Sequence, residues 1–136
     1  MIVGSPYADV SGNADQGKVY TFNLQNSINN YNQTNYTDPS GQANDNYGYS
    51  VGLGYQYLAI GVPNKTVNNV PKAGGVYSIN LATFGSISNM RLLTELNSSY
   101  GANFGRALVV SDNSEVMTSS LGGEYNYGQI SIINVN

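Results

Sequence analysis

The sequence predicts an all-β protein built from a repeated unit, and three observations lead to this fold class. Short runs rich in Val, Ile and Tyr are bounded by Gly, Asn and Pro, which is the pattern of antiparallel strands joined by turns. Identical residues recur 57 positions apart, which indicates a structural repeat. Charged residues form only 10 % of the 136-residue chain, and Asn, Ser, Thr, Gln and Gly carry the polar share, so strands and loops are favoured over helices.

The repeat is seen at several positions that are scattered through the two segments and are of different residue types. Gly4, Pro6, Gly17, Val19, Tyr20, Asn23 and Leu24 recur as Gly61, Pro63, Gly74, Val76, Tyr77, Asn80 and Leu81. The pair Tyr47-Gly48 recurs as Phe104-Gly105 with the same offset. A fixed spacing over so many positions predicts that the corresponding segments fold alike.

The first unit contains three predicted strands. The segment MIVGSP at the start of the chain corresponds to LAIGVP in the second unit, and GKVYTFNL follows as a strand with alternating side chains. A short, weak outer strand is expected near Gln33 to Thr37, followed by a loop with the composition of a turn, DPSGQANDN.

The second unit is the most regular part of the chain. Residues 47–81 hold three apolar runs of strand length, and a fourth strand is predicted at Met90 to Leu96. The composition of MRLLTELN also favours a short helix. Strand is the better prediction, because the repeat requires one there and seven residues are marginal for an isolated helix.

The third unit again has three predicted strands. Leu108 to Val110 and Glu115 to Met117 are joined by an Asp112-Asn113 turn, and Gln129 to Val135 aligns with residues 75–81. Thr118-Ser119-Ser120 stands where the other units have Gly-x-Pro.

The strand count suggests an architecture. Residues 1–46 form a unit without its first strand, residues 47–101 a complete unit, and residues 102–136 a unit without its last strand. Four-stranded units arranged in a ring are the blades of a β-propeller, so we expect about 2.5 blades of a larger propeller. We further expect the chain to be part of a longer one, or to receive its terminal strands from a different polypeptide. Joining the edges of two copies would overfill the shared blade.

The alternating strand positions predict the core. Most of the following residues are expected to be buried between sheets: Val51, Leu53, Leu58, Ile60, Val76, Tyr77, Ile79, Leu108, Val110, Ile130 and Ile132.

The combination of motifs resembles the FG-GAP repeat of integrin α-subunit-type β-propellers. The residues that carry the resemblance are Tyr47, Gly48, Ser50, Val51, Leu58, Ile60, Gly61, Pro63, Gly75, Val76 and Tyr77, with Gly4 to Asp9, Val19, Tyr20 and Phe22, and more loosely Phe104 and Gly105. The resemblance implies a propeller of about seven blades, used in adhesion and recognition through loops on one face. It also implies an extracellular, cell-surface or virion-surface location.

The resemblance does not extend to the calcium-binding loop that many FG-GAP blades contain. The corresponding loops lack three alternating oxygen ligands. Asp9, Asn13 and Asp15 could supply part of a calcium site, but turn formation is the preferred explanation of these residues. We therefore expect no cofactor.

Composition excludes several function classes. Without cysteine and histidine the chain has no thiol chemistry and lacks the commonest general base. With five basic residues and a net charge of −3, the chain is not expected to bind nucleic acid. No apolar run is long enough for membrane insertion. The carboxylate pairs Asp9 with Asp15 and Asp112 with Glu115 come without a nucleophile or oxyanion motif, so no catalytic residue is predicted.

Tyrosine is the remaining candidate for binding. The chain has 12 tyrosines, and those expected in loops are Tyr7, Tyr31, Tyr36, Tyr100, Tyr125 and Tyr127. The first functional hypothesis is a non-enzymatic module that recognises a protein or glycan ligand. The second is a structural component of a virion, a tail fibre or a surface assembly, whose partners are other chains or the rest of its own propeller. The third is an accessory domain of a glycan-directed hydrolase.

Overall fold

A computed structural model describes residues 1–23, 32–81, 89–122 and 127–135. The elements of these residues are ten strands: β1 (Ile2–Ser5), β2 (Lys18–Asn23), β3 (Asn32–Tyr36), β4 (Ser50–Leu53), β5 (Tyr57–Val62), β6 (Gly75–Asn80), β7 (Met90–Leu93), β8 (Leu108–Val110), β9 (Glu115–Ser120) and β10 (Gln129–Asn134). Over the same residues, no helix is long and apolar enough to cross a membrane.

The strands form three antiparallel sheets. The first sheet has the order β1-β2-β3, the second β4-β5-β6-β7, and the third β10-β9-β8. The all-β class and the division of ten strands into sets of three, four and three are confirmed. The segment at Met90 is a strand, as predicted, although it ends at Leu93 rather than Leu96. It pairs with β6 in antiparallel orientation, and Ile79 lies opposite Met90.

The second sheet is covered on both faces. Leu58 and Ile60 of β5 belong to a hydrophobic cluster shared with the first sheet, whereas Tyr57 and Ala59 belong to a cluster shared with the third. This follows from the alternation of side chains along a strand. All four residues are buried, and Leu58, Ala59 and Ile60 have no exposed surface.

The aromatic residue that precedes each first strand packs between sheets. Tyr47 belongs to the cluster between the first and second sheets, and Phe104 to the cluster between the second and third. Both are essentially fully buried. The Tyr47 amide donates to the Gln16 carbonyl at 2.8 Å, and the Phe104 amide donates to the Ala73 carbonyl at 3.0 Å. The sequence offset of 57 therefore recurs in the hydrogen bonds between sheets.

Glycine is required where the backbones of neighbouring sheets meet. A Cβ on Gly4 would overlap the backbone of Gly48, and a Cβ on Gly61 would overlap that of Gly105. These two contacts are again related by the repeat. The glycine of the Gly-x-Pro motif therefore permits close backbone approach in the first two units.

Three of the residues expected in the core are exposed. Leu53 is 49 % exposed because it is the last residue of an edge strand. Ile130 and Ile132 are 80 % and 65 % exposed. They alternate onto the face of the third sheet that points away from the second, whereas Ile133 points inward and packs against the cluster. The expected burial of Leu53, Ile130 and Ile132 is therefore wrong.

Candidate functional site

One end of the sheets carries most of the long connections. Five connections lie at the same end of the sheets, because antiparallel strands alternate in direction: β1–β2, β3–β4, β5–β6, β7–β8 and β9–β10. We call this the loop end. The short β4–β5 and β8–β9 turns lie at the opposite end.

A polar cleft of about 530 Å³ opens at the loop end between the first two sheets. It is lined by Tyr7, Asp15, Gln42, Ala43, Asn44, Asp45, Asn46, Asn64, Thr66, Pro71 and Lys72. Its walls come from the β1–β2, β3–β4 and β5–β6 connections, so the contact between the first two sheets creates it. Amide and carboxylate groups dominate the lining, and one exposed aromatic ring, Tyr7, stands at its side.

A row of asparagines, two of which line the cleft, holds the connections together. The Asn46 amide nitrogen donates to the Pro6 carbonyl at 3.1 Å, and that of Asn103 donates to the Pro63 carbonyl at 2.9 Å. Asn64 donates to the Asn46 side-chain oxygen at 2.5 Å and accepts from Asn103 at 3.0 Å. The row fixes the loop backbones on which the cleft is built.

The two end members of this row adopt a left-handed backbone. Asn46 has φ 59° and Asn103 has φ 49°. Asparagine tolerates this conformation better than most residues, because its short side chain hydrogen-bonds locally. The sequence analysis missed both residues, although their offset of 57 was a signal that could have identified them.

A buried charged cluster lies next to the cleft. The Lys65 ammonium group is 2.6 Å from an Asp38 carboxylate oxygen and 3.7 Å from an Asp45 oxygen. The other Asp38 oxygen accepts hydrogen bonds from the Tyr77 hydroxyl at 2.8 Å and from the Ser40 amide at 2.9 Å. Asp45 is the member of this cluster that also lines the cleft.

Burial dominates the electrostatics of this cluster. Desolvation raises the pKa of Asp45 above its usual value, although the Gln42 amide and the Lys65 charge oppose the shift. The pKa of Tyr77 is raised strongly, first by burial and then by Asp38. Burial also raises the pKa of Tyr47 well above the usual range. Both tyrosines therefore stay neutral under ordinary conditions.

The structure separates the tyrosines proposed for binding. Tyr7, Tyr100 and Tyr127 lie in loop-end connections and are 68 %, 70 % and 76 % exposed. Tyr36 is not a loop residue: it ends β3 and is 2 % exposed, so its assignment to a binding loop is wrong. Its partner residues in the hydrophobic cluster include Tyr47. Tyr31 and Tyr125 lie outside the described residues.

The calcium candidates make turn contacts. Asp9 accepts the Asp15 backbone amide at 3.0 Å through its side chain. The Asn13 amide nitrogen donates to the Gln16 side chain at 2.9 Å and to the Gly41 carbonyl at 3.2 Å. Within residues 1–23, 32–81, 89–122 and 127–135, no group of three or more His, Cys, Asp or Glu side chains is arranged to hold a metal ion.

The two carboxylate pairs differ in position. Asp9 and Asp15 lie in the β1–β2 connection, where Asp15 lines the cleft. Asp112 is exposed at the β8–β9 turn, at the end of the sheets opposite the cleft, and Glu115 accepts a long hydrogen bond from Ser111 there. The structure therefore does not bring the two pairs together.

Fold and site together define an all-β repeat protein with a polar cleft at the contact between two repeats. The chain matches no protein-family model, and none of the curated proteins matches it.

Proposed function

We propose that this protein is a non-enzymatic recognition module of the β-propeller type and that its loop end binds a glycan. The observation that carries the proposal is the cleft between the first two sheets, where an exposed Tyr7 ring stands beside amides and two carboxylates. Specific sites combine an apolar contact surface with a few placed polar groups. A tyrosine ring next to amide donors and acceptors suits a ligand with apolar C–H faces and many hydroxyl groups.

The propeller arrangement is supported by the repeated contact between sheets. Strand β4 contacts β1, and strand β8 contacts β4 and β5, so the first strand of each unit meets the preceding unit. Tyr47 and Phe104 donate equivalent backbone hydrogen bonds at the two contacts. Sheets that follow one another by a constant rotation are expected to arrange themselves around an axis. An extracellular, cell-surface or virion-surface location accords with a glycan ligand.

Matched tyrosine variants test the proposal. Tyr7 lies in the cleft, whereas Tyr55 is 82 % exposed at the β4–β5 turn, at the opposite end of the sheets. After a glycan array has identified a binder, we expect Tyr7→Ala to raise its Kd at least about tenfold, which corresponds to a modest aromatic hot spot. Tyr55→Ala should leave the Kd unchanged. Equal effects of the two variants, or no glycan bound at all, would contradict the proposal.

A structural role in a virion, a tail fibre or a surface assembly is the second candidate. The observation that favours it is the apolar surface of the third sheet, where Ile130 and Ile132 are largely exposed. Large exposed apolar patches are typical of interaction sites.

A further inference from the structure

The amine of Lys65 meets one oxygen of the Asp38 carboxylate in a buried site. Nζ lies 2.6 Å from Oδ2, and the two side chains are 7 % and 0 % exposed. Nζ also donates to the Ser40 hydroxyl at 3.2 Å and lies 5.9 Å from the centroid of the Tyr77 ring. An amine and a carboxyl group held in such contact have a high effective concentration, which favours a reaction between them over the same reaction between free groups.

The other Asp38 oxygen, Oδ1, is surrounded by hydrogen-bond donors. The Tyr77 hydroxyl donates to it at 2.8 Å, the Ser40 amide at 2.9 Å and the Ser40 hydroxyl at 3.0 Å. Donors placed around a carbonyl oxygen stabilise the negative charge that develops there when a nucleophile attacks the carbon. Oδ1 therefore has the position of a carbonyl oxygen, and Oδ2, which faces the amine, has that of the leaving group.

A second carboxylate lies next to the same nitrogen. An Asp45 oxygen is 3.7 Å from Lys65 Nζ, and the Asp45 side chain is 5 % exposed. Burial raises the pKa of Asp45, which makes its carboxylate a stronger base toward a proton on the nitrogen. Because Asp45 and Asp38 contact the same amine, Asp45 is placed to take a proton from the nitrogen and return it to the departing oxygen.

We propose that Lys65 and Asp38 form an intramolecular amide bond between Nζ and Cγ, with the loss of one water molecule. A proton first moves from the ammonium group to Oδ2, which gives an uncharged amine and an uncharged acid and removes two buried charges. The amine then attacks Cγ. Asp45 transfers a proton from the nitrogen to the Oδ2 hydroxyl, and the Cγ–Oδ2 bond breaks as water leaves. The reaction requires no oxidant and no further reactant.

The bond joins the β3–β4 connection to the β5–β6 connection, across the contact between the first and second sheets. Lys65 and Asp38 are 27 positions apart, and the sequence contains no cysteine, so the amide supplies the kind of covalent link that a disulfide supplies in other chains. The ion pair is the state in which the chain first folds. Stability measurements on freshly folded protein therefore describe the ion pair.

Mass spectrometry of the denatured protein detects the bond. Freshly folded wild type is incubated at physiological temperature for several days, and its intact mass and a tryptic digest are recorded at intervals. We expect the intact mass to fall by the mass of one water molecule. Trypsin should at the same time lose its cleavage after Lys65, so that residues 19–72 remain one peptide with an internal link to Asp38.

Three variants test the roles of the residues. Lys65→Arg keeps the positive charge but has no primary amine, so it should keep its full mass. Asp45→Asn lacks the proton acceptor and should form the bond at least about a hundredfold more slowly. Lys18→Arg is the matched control, because it makes the same exchange at a half-buried lysine of β2 and should react like the wild type. Circular dichroism verifies that each variant is folded.

Three outcomes would overturn the proposal. A wild type that keeps its full mass throughout the incubation holds the ion pair only. A loss of water with normal cleavage after Lys65 places the dehydration elsewhere in the chain. Bond formation in Asp45→Asn at the rate of the wild type removes Asp45 from the reaction and contradicts the proposed proton transfer.

Discussion

At the scale of single residues, the buried cluster gives its two carboxylates unequal roles. Asp38 has a fully buried side chain, contacts the Lys65 ammonium at 2.6 Å and accepts further hydrogen bonds from Tyr77 and Ser40. Asp45 lies farther from the same ammonium group, at 3.7 Å, and its carboxylate accepts a hydrogen bond from the Gln42 amide. Lys65 therefore faces two carboxylates, and its ion pair with Asp38 is the closer one.

We expect Asp38→Asn to destabilise the protein by up to about 3–5 kcal/mol, because the buried Lys65 ammonium loses its nearer counter-charge and retains only the more distant Asp45 carboxylate. Asp45→Asn should stay within about 1 kcal/mol of the wild type at neutral pH, since the amide oxygen still accepts the Gln42 amide. Chemical denaturation at constant temperature measures both changes. A loss for Asp45→Asn as large as that for Asp38→Asn would contradict the unequal assignment.

The pKa of Asp45 adds a pH dependence with a definite sign. The folded-state pKa is raised, so the contribution of Asp45 is fully present below its unfolded-state pKa and is lost as the pH rises through its folded-state pKa. Replacement by asparagine removes this loss. The stability of Asp45→Asn relative to the wild type should therefore increase from acidic to neutral pH, which a series of denaturation curves between these limits will show.

Sequence reasoning did not find this cluster. Lys65 and Asp38 lie 27 positions apart, on connections of different sheets. Only the contact between the first and second sheets brings them together, and neither residue belongs to the pairs that repeat. Local pattern shows which residues are charged, whereas their pairing depends on tertiary packing.

At the scale of the elements, the strands were predictable because their signals are local. Alternating side chains and turn residues located all ten, including the weak outer strand β3. Burial was less predictable. Ile130 and Val76 occupy equivalent positions, yet Val76 is fully buried and Ile130 is 80 % exposed. The difference is that a neighbouring sheet covers Val76 but not Ile130. The sequence of a single strand does not predict whether such a sheet is present.

The glycine contacts give an element-scale prediction. Gly61→Ala should destabilise the protein by at least about 1–3 kcal/mol, because the new methyl group overlaps the Gly105 backbone and forces the second and third sheets apart. Gly128→Ala is the matched control: among the described residues, its Cβ would meet only the Ser120 carbonyl oxygen, at 3.8 Å. Thermal melting of both variants measures the difference. Similar melting temperatures would show that the sheets do not depend on this contact.

At the scale of the whole molecule, one contact between sheets occurs twice. The Tyr47 and Phe104 hydrogen bonds, the two glycine contacts and the two asparagine contacts are each related by the same 57 positions. The repeat visible in the sequence is therefore a repeat of packing as well as of strands. The cleft, in contrast, follows from the particular loops of the first contact and could not be derived from the repeat.

The second sheet's position between two neighbours has a kinetic consequence. Its strands open only if both hydrophobic clusters are disrupted, whereas either terminal sheet can detach by the loss of one. In such chains, each repeat is stabilised by its neighbours, and local opening begins at the ends. Hydrogen exchange should therefore be slowest for the amides of Ile60 and Tyr77 and faster by at least about tenfold for those of Val3 and Ile133. Uniform exchange across the three sheets would mean that the molecule opens as a single cooperative unit.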